Sequence, residues 1–219
     1  MYYFIIYLIL IFVLIYYTFS YKQETMTISN FIPLYEYPEL DILKKNHNII
    51  LQELNNILEN GYWSNYDDLH KKDVFRDGNL DSVIEHLVKS ESKVNTETCD
   101  PKWKVFGLIF NKNIIELNEK FCPKTIQLLK SIPTIINAGF SCLEPNKSTD
   151  IHADDNEDFY RYQLPLIVPV GDTGFKSDNE IIKYKVNEPF IFNDSIMHQA
   201  WNHTNKIRVV LICDIVRKK

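Results

Sequence analysis

The sequence is poor in glycine and arginine, and it has no excess of basic charge. Only 6 of its 219 residues are glycine while 45% are hydrophobic, a balance typical of a folded globular domain and not of a disordered chain. The formal net charge is −5, so no global basic field recruits nucleic acid, and we predict no nucleic-acid partner. The four cysteines form no Cys-x-x-Cys pair and do not require an oxidising compartment.

One segment lacks charge altogether. Residues 2–20, YYFIIYLILIFVLIYYTFS, are apolar over a length sufficient to cross a hydrocarbon layer of about 30 Å, with tyrosines clustered at both ends. A cleaved signal peptide is the main alternative, but no basic residue precedes the run and Tyr17–Ser20 is a poor cleavage site. We therefore predict a single-pass N-terminal membrane anchor at residues 2–20, and the sequence leaves the side of the membrane open.

The remaining chain divides into a linker, a helical part and a β-rich core. We predict a linker over 21–36 and a helical part over 37–100, with helices at 38–61 and 79–90. Short apolar or alternating runs separated by turn residues predict a β-rich core over 101–217. These runs are 103–110, 134–144, 160–170, 179–186, 188–194, 197–202 and 207–217. The fold class is therefore mainly β with flanking helices. Pro165 and Pro169 indicate an edge strand or a bend in the run 160–170.

The strongest candidate for chemistry is His152-Ala153-Asp154. In extended backbone, side chains two residues apart point the same way, so His152 and Asp154 would share one face. Two histidines and one carboxylate form the facial iron site of many oxygenases. His198 is the best second histidine, because it lies in the β-rich core just ahead of a strand. Taken singly, each residue is more often a surface or core residue, and only their combination predicts a metal site.

Two of the four arginines lead into predicted strands beside these residues. Arg161 opens YRYQLPL, and Arg208 opens an apolar strand ten residues after His198. A buried arginine suits a cosubstrate carboxylate such as that of 2-oxoglutarate, because the guanidinium is always charged and makes bidentate contacts. The alternative is that these arginines pair with local carboxylates such as Asp158 or Asp214.

With these blocks in order, the chain resembles the aspartyl/asparaginyl β-hydroxylase family of iron(II)/2-oxoglutarate oxygenases. The similar stretches are FCPKTIQLLKSIP (121–133), AGFSCLEPNKSTDIHADDN (138–156), YRYQLPLIVP (160–169) and EPFIFNDSIMHQAWNHTNKIRVVLICDI (188–215). The resemblance implies a double-stranded β-helix, or jelly roll, with Fe(II), 2-oxoglutarate and O2 as cofactor and cosubstrates. It implies these site residues: His152, Asp154 and His198 on the metal, and Ser141, Arg161, Gln163, Arg208 and Trp103 around the cosubstrate.

Two positions depart from the family pattern. Well-known animal members carry glycine where this chain has Asp154, so Asp154 would complete a three-ligand site. A family histidine near the cosubstrate falls on Gln163, which donates hydrogen bonds but carries no charge. The resemblance implies a dioxygenase that hydroxylates an Asp or Asn side chain of a protein or peptide. A membrane-lipid hydroxylase of the same chemistry and a non-catalytic jelly-roll binding module are the alternatives.

Overall fold

The computed structural model describes residues 29–66, 79–89, 91–92, 94, 103–154 and 157–218. The predicted anchor at residues 2–20 lies outside these residues and stays a prediction. Within the described part, no helix combines the length and the apolar character that crossing a membrane requires.

The helices are short and come mostly before the β-rich core. Two 3₁₀ turns, Leu34–Glu36 and Pro38–Leu40, precede them. The α-helices are α1 (Asp41–Lys45), α2 (His47–Asn60), α3 (Leu80–Lys89), α4 (Glu116–Glu119) and α5 (Pro123–Lys130). The long helix predicted at 38–61 is therefore broken at Asn46, whose side-chain amide donates to the Ile42 carbonyl oxygen at 2.8 Å. Such local bonding competes with the helical pattern of the backbone.

The strands follow in two groups. The first lies ahead of the core and comprises β1 (Phe31–Ile32), β2 (Trp63–Asn65) and β3 (Glu91–Ser92). The core contains β4 (Trp103–Phe110), β5 (Asn113–Ile114), β6 (Ile135–Leu143), β7 (Lys147–Ser148), β8 (Phe159–Ile167), β9 (Thr173–Ser177), β10 (Glu180–Lys183), β11 (Phe190–Phe192), β12 (His198–Asn202) and β13 (Arg208–Val216).

These strands form two antiparallel sheets that face one another. In the described part of the chain, the major sheet has the order β1-β11-β8-β13-β6-β4-β2-β3, with β5 paired to β4, and the minor sheet has the order β10-β9-β12-β7. Phe175 and Ala200 of the minor sheet are buried together with Phe192 and Val210 of the major sheet, so an apolar layer fills the space between the sheets. The prediction of a mainly β fold with flanking helices is confirmed.

The opposite face of the major sheet carries the helices. Ile50 and Leu54 of α2 and Leu129 of α5 are buried against sheet residues that include Phe140 and Leu211. Burial of this kind stabilises a domain by about 25 cal/mol per Å² of apolar surface. The helical layer therefore covers the outer face of the major sheet. The inner face of that sheet packs against the minor sheet and carries polar residues.

Two expectations from the sequence differ from the structure. Strand β8, which contains Pro165, is not an edge strand but lies between β11 and β13. The pairing of β13 with β8 shifts register between Val209 and Val210, opposite Ile167 and Pro165, and this irregularity accommodates a residue without an N–H. Part of the predicted linker also belongs to the sheet, because Phe31–Ile32 pairs with β11.

Candidate metal centre

The registers of the major sheet place the predicted site residues on one face. Across antiparallel strands, directly paired residues point to the same side. Arg208, Val210 and Ile212 alternate along β13 and therefore point to the same side of the sheet. Ser141 pairs with Val210, and Gln163 pairs with Ile212. Arg161 lies two residues before Gln163 on the same strand. Trp103 pairs with Leu143, two residues beyond Ser141. All five side chains therefore start from the inner face, towards the minor sheet.

The two predicted ligand histidines meet in a single antiparallel bridge. His152 N donates to His198 O at 3.1 Å and His198 N donates to His152 O at 2.8 Å. The ring centroids are 4.3 Å apart. Residues 46 positions apart in sequence are thus brought side by side by backbone pairing alone, at a separation that allows both rings to reach one ion.

Both imidazoles are held in the same way. Nδ1 of His152 is 2.7 Å from the Asp150 carbonyl oxygen, and Nδ1 of His198 is 2.8 Å from the Ile196 carbonyl oxygen. A carbonyl only accepts, so each Nδ1 carries a proton, and Nε2 keeps its lone pair when the ring is neutral. Burial, and after it the neighbouring His152, lowers the pKa of His198 to about 3. His198 is therefore neutral at pH 7, the form that binds metal.

Asp154 lies in the same place but is engaged with protein groups. Its Oδ2 is 3.3 Å from Nη2 of Arg161. Burial works against its charge, but contact with the carboxyl of Asp194 and the charge of Arg161 lower the pKa of Asp154 to about 2. Asp154 N donates to the Asp194 carbonyl oxygen at 3.0 Å, which fixes its backbone. Asp154 is therefore an ionised carboxylate beside the histidines, turned towards Arg161.

Arg161 has three carboxylates around it. Besides Asp154, its Nη1 is 2.8 Å from Asp194 Oδ2, and its Nε donates to Asp214 Oδ1 at 2.7 Å. Burial opposes the charge, but these carboxylates raise the pKa of Arg161 above its usual value. The alternative that an arginine pairs with Asp214 is the one seen at Arg161. Its predicted contact with a cosubstrate carboxylate stays a prediction, and in this structure the guanidinium is already occupied.

Arg208 has the opposite environment. It is only 2% exposed, and its Nε has no hydrogen-bond partner in the described part of the chain. Among the described residues its close contact is with the Tyr184 ring, whose centroid is 4.9 Å from the guanidinium carbon. A buried charge without a counter-ion is costly unless a ligand supplies one. Arg208 therefore places a buried cation in the interior of the barrel, with an unpaired Nε and no ion pair to a described residue.

The other predicted cosubstrate residues form two short hydrogen bonds. Tyr184 Oη donates to Gln163 Oε1 at 2.8 Å, which leaves the amide N–H groups of Gln163 as donors. Trp103 Nε1 donates to Ser141 Oγ at 3.0 Å, and the Trp103 ring lies 6.0 Å from the His152 ring between centroids. These pairs orient polar groups near Arg208 and the histidines respectively.

The described residues contain no group of three or more His, Cys, Asp or Glu side chains already arranged around a common point for a metal. The donor chemistry nevertheless suits a metal such as iron, because two imidazoles, each oriented through Nδ1 by a carbonyl oxygen, lie beside acidic side chains. Nε2 of His198 is 3.2 Å from Oδ1 of Asp194, and both side-chain oxygens of Asp194 are buried. Asp154 would complete the set if its side chain turned.

Sequence reasoning assigned no role to three residues of the site: Asp194, Asp214 and Tyr184. Asp194 carried the best signal, because it belongs to the similar stretch 188–215 and lies four residues before His198. Asp214 was considered only as a partner for an arginine. Tyr184 had no signal, because its place beside Gln163 depends on how the chain folds back after β10.

Comparisons with known proteins bear on this site. The family model described as Aspartyl/Asparaginyl beta-hydroxylase matches residues 44–218. An ornithine lipid ester-linked acyl 2-hydroxylase from Rhizobium tropici is 36% identical over 126 residues, which are 57% of this chain and 45% of that protein. The matched part thus spans less than half the length of this relative.

Solved structures with a related fold are more distant. An oxidoreductase of the 2OG-Fe(II) oxygenase family from Burkholderia pseudomallei has a TM-score of 0.46 and 11% identity, over 57% of this chain and 72% of that one. The Cnp3 cupin domain from Schizosaccharomyces pombe has a TM-score of 0.37 and 10% identity, over 57% of this chain and 69% of that one.

Proposed function

Because this chain belongs to the aspartyl/asparaginyl beta-hydroxylase family, we propose that it is an iron(II)- and 2-oxoglutarate-dependent hydroxylase built on a double-stranded β-helix. Family membership and the hydroxylase relative both support an enzyme of the hydroxylase class. The proposal rests on one observation: the two histidines and the buried arginine lie in the same barrel interior. Two histidines are each oriented through Nδ1 by a carbonyl oxygen, and the Nε of a buried arginine has no hydrogen-bond partner among the described residues.

In this function, His152 and His198 hold the iron, with Asp154 as the third ligand. The bound iron supplies the oxygen chemistry that hydroxylates a C–H bond while 2-oxoglutarate is decarboxylated. Arg208 binds the distal carboxylate of 2-oxoglutarate and gains the counter-ion that it lacks in the described protein. Ser141 adds a hydroxyl to that carboxylate site.

The remaining groups orient and enclose the site. Tyr184 fixes the amide of Gln163 so that its N–H groups donate towards bound carboxylate. Arg161 holds Asp194 and Asp214, and thereby sets the acidic wall beside the histidines. Trp103 covers the His152 side of the site and limits access of water. These are roles in binding, orientation and exclusion of water, which are the contributions that the protein makes to a cofactor reaction.

Two substrate classes are compatible with the site. The family description favours an Asp or Asn side chain of a protein or peptide. The Rhizobium relative, a lipid acyl 2-hydroxylase, favours a membrane lipid for this chain. With either substrate class, the reaction inserts oxygen into a C–H bond near a polar group. The residues proposed to bind iron and 2-oxoglutarate therefore do not distinguish a peptide substrate from a lipid substrate.

The experiment is iron-dependent release of CO2 from labelled 2-oxoglutarate by the full chain, with and without candidate peptides and lipids. His198→Ala should abolish turnover, and His203→Ala is its matched control, because His203 is an exposed histidine at the far end of the same strand region. Turnover that survives His198→Ala would contradict the ligand assignment. Iron-loaded protein that consumes no 2-oxoglutarate under any condition would instead support the non-catalytic binding module.

A further inference from the structure

The described chain begins at the metal-site end of the barrel. Asn193 N donates to the Asn30 carbonyl oxygen at 3.0 Å, and Asn193 adjoins Asp194. The Asn30 side chain donates to the Ser177 carbonyl oxygen at 3.3 Å, and Ser177 pairs with His198 across β9 and β12. Asn30 therefore contacts Ser177, which itself pairs with His198, a proposed metal ligand.

This starting point is fixed to the barrel. Ser29 Oγ donates to Glu180 Oε2 at 2.8 Å, and Asn30 N donates to Glu180 Oε1 at 2.7 Å. Eight residues, 21–28, separate Ser29 from the predicted anchor at 2–20. A chain of eight residues reaches at most about 29 Å even when fully extended. If the anchor spans a membrane, the metal-site end is held within about 29 Å of that membrane.

Exposed apolar side chains lie at the same end. Ile151 is 63% exposed and Met197 is 52% exposed. Each precedes a histidine of the His152–His198 bridge, so both point to the outer face while the histidines point inward. Met197 O accepts from Asp178 N at 2.9 Å, which ties it to the β9–β10 turn beside Glu180.

We propose that this end, the rim formed by Ile151, Met197 and the turn at Asp178–Asn179, rests on the surface of a zwitterionic lipid bilayer. The short connection to the anchor brings the rim there, and the two exposed apolar side chains enter the headgroup region. The exposed acidic residues Asp150 and Asp178 repel anionic headgroups, which is why the partner is zwitterionic lipid. The inference uses the predicted anchor and does not depend on catalytic activity.

The test measures the depth of spin labels in the full chain reconstituted in phosphatidylcholine vesicles. Single cysteines replace Met197, Ile151 or Asn179 at the rim, and Val170 as the matched control. Val170 is fully exposed and precedes the opposite end of the β9–β12 pair, where Thr173 pairs with Asn202. All variants carry Cys99→Ser, and the other three cysteines are 0% exposed and do not compete for the label.

We expect the labels at 151 and 197 to be more accessible to oxygen than to a water-soluble nickel chelate, and the label at 170 to show the reverse. Adding phosphatidylglycerol should reduce the difference. The label at Asn179 does not adjoin a histidine, so it reports rim depth even if the other two labels disturb folding. Rim labels as accessible to nickel as position 170 would overturn the proposal, as would preference for anionic vesicles. Decarboxylation of 2-oxoglutarate, measured separately in detergent, would show whether the proposed function stands independently.

Discussion

The buried guanidinium of Arg208 gives the sharpest test of the site, because its replacement should have opposite effects on stability and on ligand binding. Arg208 is 2% exposed, and its Nε has no partner in the described structure. An unsatisfied buried donor costs about 1–3 kcal/mol, and its contact with the Tyr184 ring returns about 0.5–2 kcal/mol. Arg208→Met should therefore leave the free energy of unfolding unchanged or raise it by up to about 2 kcal/mol relative to wild type.

Lys104 offers a matched contrast. It is 3% exposed, and its Nζ lies 3.8 Å from the buried carboxylate of Glu144. Lys104→Met removes this cation from a buried carboxylate, a change that typically costs about 3–5 kcal/mol. For a domain of this size that is a fall in Tm of roughly 6–20 °C. Arg208→Met and Lys104→Met both replace a buried cation with methionine, and their Tm values should differ clearly.

The assay is thermal unfolding in the presence of a redox-inert divalent metal, with and without 2-oxoglutarate. A ligand at 100 times its Kd stabilises the folded state by about 2.7 kcal/mol. Wild type should show this shift, and Arg208→Met should lose it while keeping its unliganded Tm. If Arg208→Met is destabilised as strongly as Lys104→Met, the guanidinium has a protein counter-ion and the reasoning about an anion site is wrong.

Three further predictions address the neighbourhood of the site and the fold. Tyr184→Phe removes the donor that orients Gln163, so the affinity for 2-oxoglutarate should fall about fivefold, which corresponds to one hydrogen bond of about 1 kcal/mol. The affinity for metal, measured by titration, should stay unchanged. An unchanged affinity for 2-oxoglutarate would contradict this prediction. The pKa of Asp172 is lowered by hydrogen bonds from Lys183, Trp201 and His203, so its contribution to stability is present above the unfolded pKa of about 3.9 and is lost as pH falls towards the folded value. Wild type and Asp172→Asn should accordingly converge in Tm on acidification, and a constant difference between them would argue against the network. Gly139→Ala should lower Tm, because its Cβ would lie 2.9 Å from the Phe106 carbonyl oxygen, and a neutral result in the same scan would show that the β4–β6 pair can separate.

Much of the β-rich core could be predicted because apolar runs coincide with its strands. The runs at 103–110, 134–144 and 207–217 correspond to β4, β6 and β13 almost residue for residue. Strand β9, Thr173–Ser177, was missed, since Thr-Gly-Phe-Lys-Ser carries no apolar run and its strand character comes from pairing with β10 and β12. Local composition does not encode such pairing.

The same distinction applies to the site. The prediction grouped His152 with His198, and the structure joins them through one backbone bridge. The ion-pair network around Arg161 was not predicted, because it depends on the register of two strands. Asp214 reaches Arg161 only because β13 pairs with β8 at that position. A shift of one residue would turn Asp214 to the helical face.

Asp154 decides how complete the proposed metal site is, and the acidic residues around Arg161 explain how Asp154 could become a ligand. As the structure stands, Asp154 contacts Arg161 and Asp194 instead of facing both histidines. Its backbone is fixed by the hydrogen bond to the Asp194 carbonyl oxygen, so only the side chain must turn to reach a metal. Arg161 keeps Asp194 and Asp214 when Asp154 leaves, and no buried guanidinium is left unpaired. Burial and the neighbouring carboxylates of Asp154 and Asp214 raise the pKa of Asp194 well above its usual value, so Asp154 and Asp214 carry most of the charge that balances Arg161. A divalent cation bound between the histidines would take over Asp154 and leave Asp214 with the guanidinium.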